Sequence, residues 1–114
     1  MGFDDISELT SETSIGQVKI RILNLENGLL LLFSDKDQYR LGISAVAIPP
    51  GQGRSDPTST ALFTMGLDTT LVRTIAERVA SWTNNTCMVV CGLAQLNRDI
   101  IMELLSYLRD HLVV

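Results

Sequence analysis

Two cysteines and a single histidine are the side chains best equipped for chemistry in this chain. Cys87 and Cys91 lie four positions apart in a segment, 86–93, whose apolar and β-branched residues predict a strand. Strand geometry puts both thiols on one face about 13 Å apart, too far for a disulfide or a shared metal. They read as buried structural thiols. His111 lies at the end of the last predicted helix, where an imidazolium suits the helix dipole. A Ser-His-Asp or Cys-His arrangement would have to use it, and nothing near it in sequence supports one. Metal sites draw on several His, Cys or carboxylate ligands at tight spacing, and no such cluster occurs. The expectation is a protein with no catalytic residues, no bound metal and no cofactor.

Other motifs point the same way. Pro49-Pro50-Gly51-Gln52-Gly53-Arg54 is only loosely like a phosphate-binding loop. It has no lysine, and no helix starts directly after it to supply a dipole. It reads as a flexible connection, with Arg54 as the anchor if the loop contacts a protein. Asn84-Asn85-Thr86 fits the glycosylation acceptor pattern but follows no secretory signal, so it is expected to stay unmodified. The acidic pairs Asp4/Asp5 and Asp35/Asp37 fall in a tail and a turn and read as solvated charges.

Alternation and helical stripes define the elements that carry these residues. Segment 17–25 alternates, with Val18, Ile20 and Ile22 on one side and Lys19 and Arg21 on the other. Asn27-Gly28 is a strong hairpin signal, and 29–33 is the return strand, apolar on both faces. A polar turn leads to a strand over 39–48, with Leu41, Ile43, Ala45 and Ala47 on one side. The prolines and glycines of 49–57 demand a loop, and 59–65 is a fourth strand. Asp68 is a plausible N-cap for a helix to about Asn84, with the stripe Leu71, Val72, Ile75, Ala76, Val79 and Trp82. After strand 86–93, Asn97 caps a helix over 97–112 striped by Ile100, Ile101, Leu104, Leu105 and Leu108. Residues 1–16 are acidic and without steady periodicity, and read as a mobile lead-in to a single domain over 17–114, with Ile6 and Leu9 as possible docking residues. The order β-β-β-β-α-β-α predicts an α+β fold: an antiparallel sheet of five or six strands, begun by a meander, with two helices on one face.

With 114 residues the chain fits one domain, and 46% hydrophobic against 19% charged residues suits a folded globule. A net charge of -4 with scattered cations argues against nucleic acid and anionic membrane. The polar N-terminus and the short apolar run 29–33 predict neither signal peptide nor membrane span, hence a cytosolic or nuclear protein.

Segment 59–93 resembles the proteasome assembly chaperone 4 family. The resemblance rests on Ser59-Thr60-Ala61-Leu62, on Asp68-Thr69-Thr70 at the helix start, on Ile75-Ala76-Glu77-Arg78-Val79-Ala80 with Thr83-Asn84, and on the strand that follows at the family's spacing. It is close over about a third of the chain. The order of elements extends it over most of the remainder. It implies a small non-enzymatic chaperone that pairs with a related, type 3 assembly chaperone and helps arrange α-subunits of the 20S proteasome into a ring. A longin- or roadblock-type adaptor is the alternative of similar size and class.

The residues supply an independent reason to expect a partner. Strands 29–33 and 87–91 are apolar on both faces, yet two helices cover only one face of a sheet. An uncovered apolar patch marks a binding surface, and sheet-on-sheet packing with a similar subunit, or with a second copy, would cover it. Strand parity leaves Leu30 with Leu32, or Leu29 with Leu31, on that face, and Met88 with Val90, or Val89 with Cys91. The set adopted is Leu30, Leu32, Val46, Ile48, Met88 and Val90.

Overall fold

The two-sided strands decide the architecture. In the computed structural model, which describes residues 6–50, 58–63 and 67–113, six strands form one sheet: β1 (Ile6–Thr13), β2 (Gly16–Leu25), β3 (Gly28–Ser34), β4 (Ile43–Ile48), β5 (Thr58–Phe63) and β6 (Cys87–Gly92). Their order across the sheet is β1-β2-β3-β6-β4-β5. β3 and β6, the strands without alternation, lie side by side in the middle and run parallel, with Leu31 opposite Val89. Parallel strands with both faces covered read as continuous apolar runs; β3 and β6 read that way although the helices meet only the side of Leu29, Leu31, Cys87 and Val89.

The fold is therefore α+β as expected, but its sheet is mixed rather than antiparallel. The expected meander is also interrupted. β2 and β3 form the hairpin that Asn27-Gly28 announces, with Leu25 opposite Gly28, but β4 pairs with β6 and β5 and never with β3. Gly28 sits where the chain must pass close to the start of β6. A Cβ built there would lie 2.5 Å from the Thr86 carbonyl oxygen, the group that accepts the Leu29 N–H at 2.8 Å.

The lead-in is the second correction. Residues Ile6–Thr13 are not a mobile tail but the edge strand β1, antiparallel to β2. Gly16, at φ 106°, takes the left-handed conformation needed to turn the chain back. β1 looks polar because only one side of it meets the core. Leu9 packs inward, while Glu8 faces Arg21 and Glu12 faces Gln17 across the outer side. The third correction concerns Leu41, placed by alternation on the same side of a strand as Ile43, Ala45 and Ala47. β4 starts only at Ile43, and Leu41 is 92% exposed in the segment before it.

Two helices, α1 (Leu67–Thr83) and α2 (Arg98–Leu112), cover one face. Val72, Ile75, Ala76, Val79 and Ala80 of α1 join Ile100, Ile101, Leu104, Leu105 and Leu108 of α2 in a single core. The sheet contributes Val18, Ile20, Ile22, Leu29, Leu31, Phe33, Ala45, Ala47, Cys87, Val89 and Cys91 to it. α1 packs on β4, β5 and β6, and α2 on α1 and β1. Asn97 caps α2 as expected: its Oδ1 accepts the Ile100 N–H at 2.9 Å. Asp68 is not the cap of α1 but lies within its first turn. Asn84, with φ 54°, ends α1 in the left-handed conformation common after a helix.

Candidate functional site: the uncovered sheet face

Side chains alternate across a sheet, so each residue pointing away from the helices is fixed by those pointing toward them. With Leu29, Leu31 and Phe33 in the core, Leu30 and Leu32 point to the opposite face. Ala45 and Ala47 place Val46 and Ile48 there, and Cys87, Val89 and Cys91 place Met88 and Val90 there. All six residues adopted from strand parity thus share one face, and the cross-strand register brings them together. Ile6, Leu23, Leu30, Met88, Val46 and Thr60 form a row from edge to edge. The next row is Glu8, Arg21, Leu32, Val90 and Ser44.

The face has two halves of different character. Toward the Asn27-Gly28 turn it is apolar and open, with Ile6 43%, Leu25 52% and Ile48 53% exposed. A hollow of about 230 Å³ opens there, floored by Leu30, Met88 and Gly28 and walled by Leu25 and Thr86. Toward the other end it is charged. Arg21 Nε donates to Glu8 Oε1 at 2.8 Å, and Tyr39 lies under the Arg21 guanidinium with 4.8 Å from Cζ to the ring centre. Lys19 pairs with the fully exposed Asp37 at 3.2 Å. The hydrogen bond to Glu8 holds the Arg21 pKa above its usual value, and partial burial raises that of Tyr39, with Glu8 adding to it. Val90 belongs to this face, but it is only 5% exposed between Leu32 and Ser44. It supports the surface more than it offers contact area. The apolar half extends across β1 and β2 through Ile6, expected only to dock from a tail, and through Leu23 and Leu25, which sequence reasoning missed. Their signal was the alternation with Arg21 and Lys19, from which Leu23 and Leu25 follow directly.

The other candidates fall into structural places. Both thiols are buried on the helix side. Burial pushes the Cys87 pKa up to about 12. It pushes that of Cys91 up to about 11, with the carboxylates Asp68 and Asp35 adding to the shift. Neither thiol is a nucleophile at neutral pH. His111 is exposed, stacks on Tyr107 at 4.4 Å between ring centres, and has Nδ1 3.1 Å from the Tyr107 carbonyl oxygen. A carbonyl only accepts, so Nδ1 carries the proton. Asp35 departs from the expected solvated turn residue. Its side chain is 17% exposed, with Oδ2 accepting the Ala94 N–H at 3.0 Å and Oδ1 3.5 Å from Arg40 Nη2. It ties the β3–β4 connection to the end of β6, where Arg40 also donates to the Gly92 carbonyl at 2.8 Å. Among the described residues no three His, Cys, Asp or Glu side chains converge as metal ligands would. Arg54 and the loop over 51–57 lie outside the described residues. No described helix is long and apolar enough to cross a membrane.

Comparison with protein-family models and with curated proteins gives no match for this chain.

Proposed function

We propose that this protein is a non-enzymatic assembly chaperone that pairs, through its uncovered sheet face, with a related α+β subunit. Its client class would be the α-subunits of the 20S proteasome during ring formation. The observation that carries the pairing is the apolar half of that face. Leu23, Leu25, Leu30, Met88, Val46 and Ile48 form one continuous surface on the side of the sheet that neither helix covers. A monomer rarely leaves such a patch in water.

Size favours a sheet as the occupant. Six strands about 4.8 Å apart and about 20 Å long make roughly 480 Å² of plane before side-chain relief is counted. A standard interface removes about 800 Å² of accessible surface per partner. That requires most of the face to be engaged, which a second sheet packed flat does and a single strand or helix does not. The hollow beside Gly28 and Met88 suits one buried apolar anchor of the kind that dominates interface energy. The proteasomal client comes from the resemblance of 59–93 to the assembly chaperone 4 family. Arg54 is the loop residue proposed to reach it.

Sedimentation of wild type and Leu32→Asp, with and without a type 3 assembly chaperone, tests the pairing. Wild type is expected to sediment as a pair and Leu32→Asp as a folded monomer. Monomers in every mixture would remove the reading. Co-purification of proteasome α-subunits with the wild-type pair tests the client. Recovery of trafficking components instead would favour a longin- or roadblock-type adaptor.

A further inference from the structure

The opposite side of the molecule carries a second surface that pairing through the sheet leaves free. Where α1 and α2 lie against each other, a groove of about 290 Å³ opens to solvent. Its floor is Leu105, 5% exposed, and the half-buried ring of Trp82, the only tryptophan in the chain. Met102 forms an apolar rim at 55% exposure. Arg78 stands one turn before Trp82 on α1, and Arg109 one turn after Leu105 on α2, so both guanidinium groups flank the apolar floor.

Both guanidinium groups are without an ion pair. In a chain of net charge -4, Lys19, Arg21, Arg40 and Arg73 each pair with a carboxylate. The side chains of Arg78 and Arg109, like those of Lys36 and Arg98, have no ion-pair or hydrogen-bond partner among the described residues, and only Arg78 and Arg109 of these four line the groove. Asp110, the carboxylate lining the groove, follows Arg109 in sequence without pairing to it. The groove thus holds two unneutralised guanidinium groups against one carboxylate. Its volume lies at the small end of the range of about 300–1,000 Å³ typical of small-molecule sites and fits one or two side chains of a docked segment. The distance from Met102 to Arg109, about 10 Å along α2, matches about two turns of a ligand helix.

We propose that the α1–α2 groove binds an acidic amphipathic helix of a partner protein, with an apolar side chain on Trp82 and Leu105 and flanking carboxylates on Arg78 and Arg109. Helix-in-groove docking reads anchors at one-turn spacing, and a planar guanidinium takes a carboxylate by two parallel hydrogen bonds. The inference does not depend on pairing through the sheet.

Trp82 makes the test direct, because its emission reports on the groove alone. The probes are two acetylated, amidated peptides, AEELLAEELLA and its counterpart AKKLLAKKLLA, titrated into the full chain. The acidic peptide is expected to shift Trp82 emission saturably and more weakly as salt is raised. The lysine peptide is expected to give no shift. Arg78→Glu with Arg109→Glu, both exposed and outside the core, should keep wild-type helicity by circular dichroism. It should weaken the acidic peptide by about tenfold or more and gain the lysine peptide. No shift with either peptide, equal binding of both, or retention of the acidic peptide by the double variant would overturn the proposal. So would equally tight binding of a single-stranded oligonucleotide, which would make the groove a general anion site.

Discussion

The two faces of the β3–β6 pair are built from the same residue types, yet one is a core and the other a surface. Leu31 and Val89 are 0% exposed beneath α1 and α2. Their neighbours Leu30 and Met88, one residue away and equally apolar, face the side the helices do not reach. Composition does not distinguish them; the position of two helices does. On the covered side apolar contact stabilises the monomer. On the uncovered side the same chemistry is left for a partner.

The sharpest way to break this comparison is to place one carboxylate on each side of β3. Leu31→Asp buries an unpaired charge in the core and is expected to cost more than about 4 kcal/mol, leaving the chain unfolded or expanded by circular dichroism and sedimentation. Leu32→Asp points to the open face and should keep the fold within about 1 kcal/mol while abolishing pairing. Equal destabilisation by the two substitutions would erase the distinction between the faces.

Truncation asks the same question less severely. Phe33→Ala removes one of the largest fully buried side chains and should lower unfolding free energy by about 3–5 kcal/mol in a urea titration of the monomer. Leu30→Ala should cost about 1 kcal/mol or less in that titration and show its larger effect on the pair.

The thiols report on the covered face through pH. Their folded pKa values, about 12 for Cys87 and about 11 for Cys91, lie above the usual value of 9.0. The stability they contribute is fully present below pH 9. It falls as pH rises from about 9, where the unfolded thiols ionise first, toward the folded values. Each thiol adds a slope of at most about 1.4 kcal/mol per pH unit. The difference between wild type and Cys87→Ala/Cys91→Ala in urea titrations from pH 8 to 11 isolates this effect. Ellman's reagent at pH 8 should find both thiols only after denaturant is added.

The smallest effect concerns the cover itself. Asn97→Ala removes the oxygen that accepts the Ile100 N–H at 2.9 Å and should cost about 1 kcal/mol. Thermal unfolding should move by several degrees with no change in pairing. Loss of pairing in Asn97→Ala would mean that α2 and the open face are coupled.

Much of this fold is written in local patterns. The Asn27-Gly28 hairpin, the α1 and α2 stripes, the Asn97 cap and the positive φ of Asn84 depend on residues within a turn or two of each other. Strand parity also grouped Leu30 with Leu32, Val46 with Ile48 and Met88 with Val90, because alternation is a property of the strand itself, but which member of each two-sided strand's pairs faces the helices was left open. The groove of Arg78, Trp82, Leu105 and Arg109 was not legible, since it joins two helices separated by β6.

What tertiary structure alone decided are the long-range choices. That β6 enters between β3 and β4 depends on hydrogen-bonded pairing with distant strands, and no local pattern records a partner more than fifty residues away. That Ile6–Thr13 is a strand rests on cross-strand partners such as Arg21 for Glu8, which give a polar segment its hydrogen-bonded ladder. Leu41 had the right parity for the core and is exposed because the chain is still crossing toward β4 there. Period and capping act over a few residues and are fixed by sequence. Pairing, register and cover are settled only when the whole chain distributes its apolar surface, and here that distribution leaves one face of the sheet open.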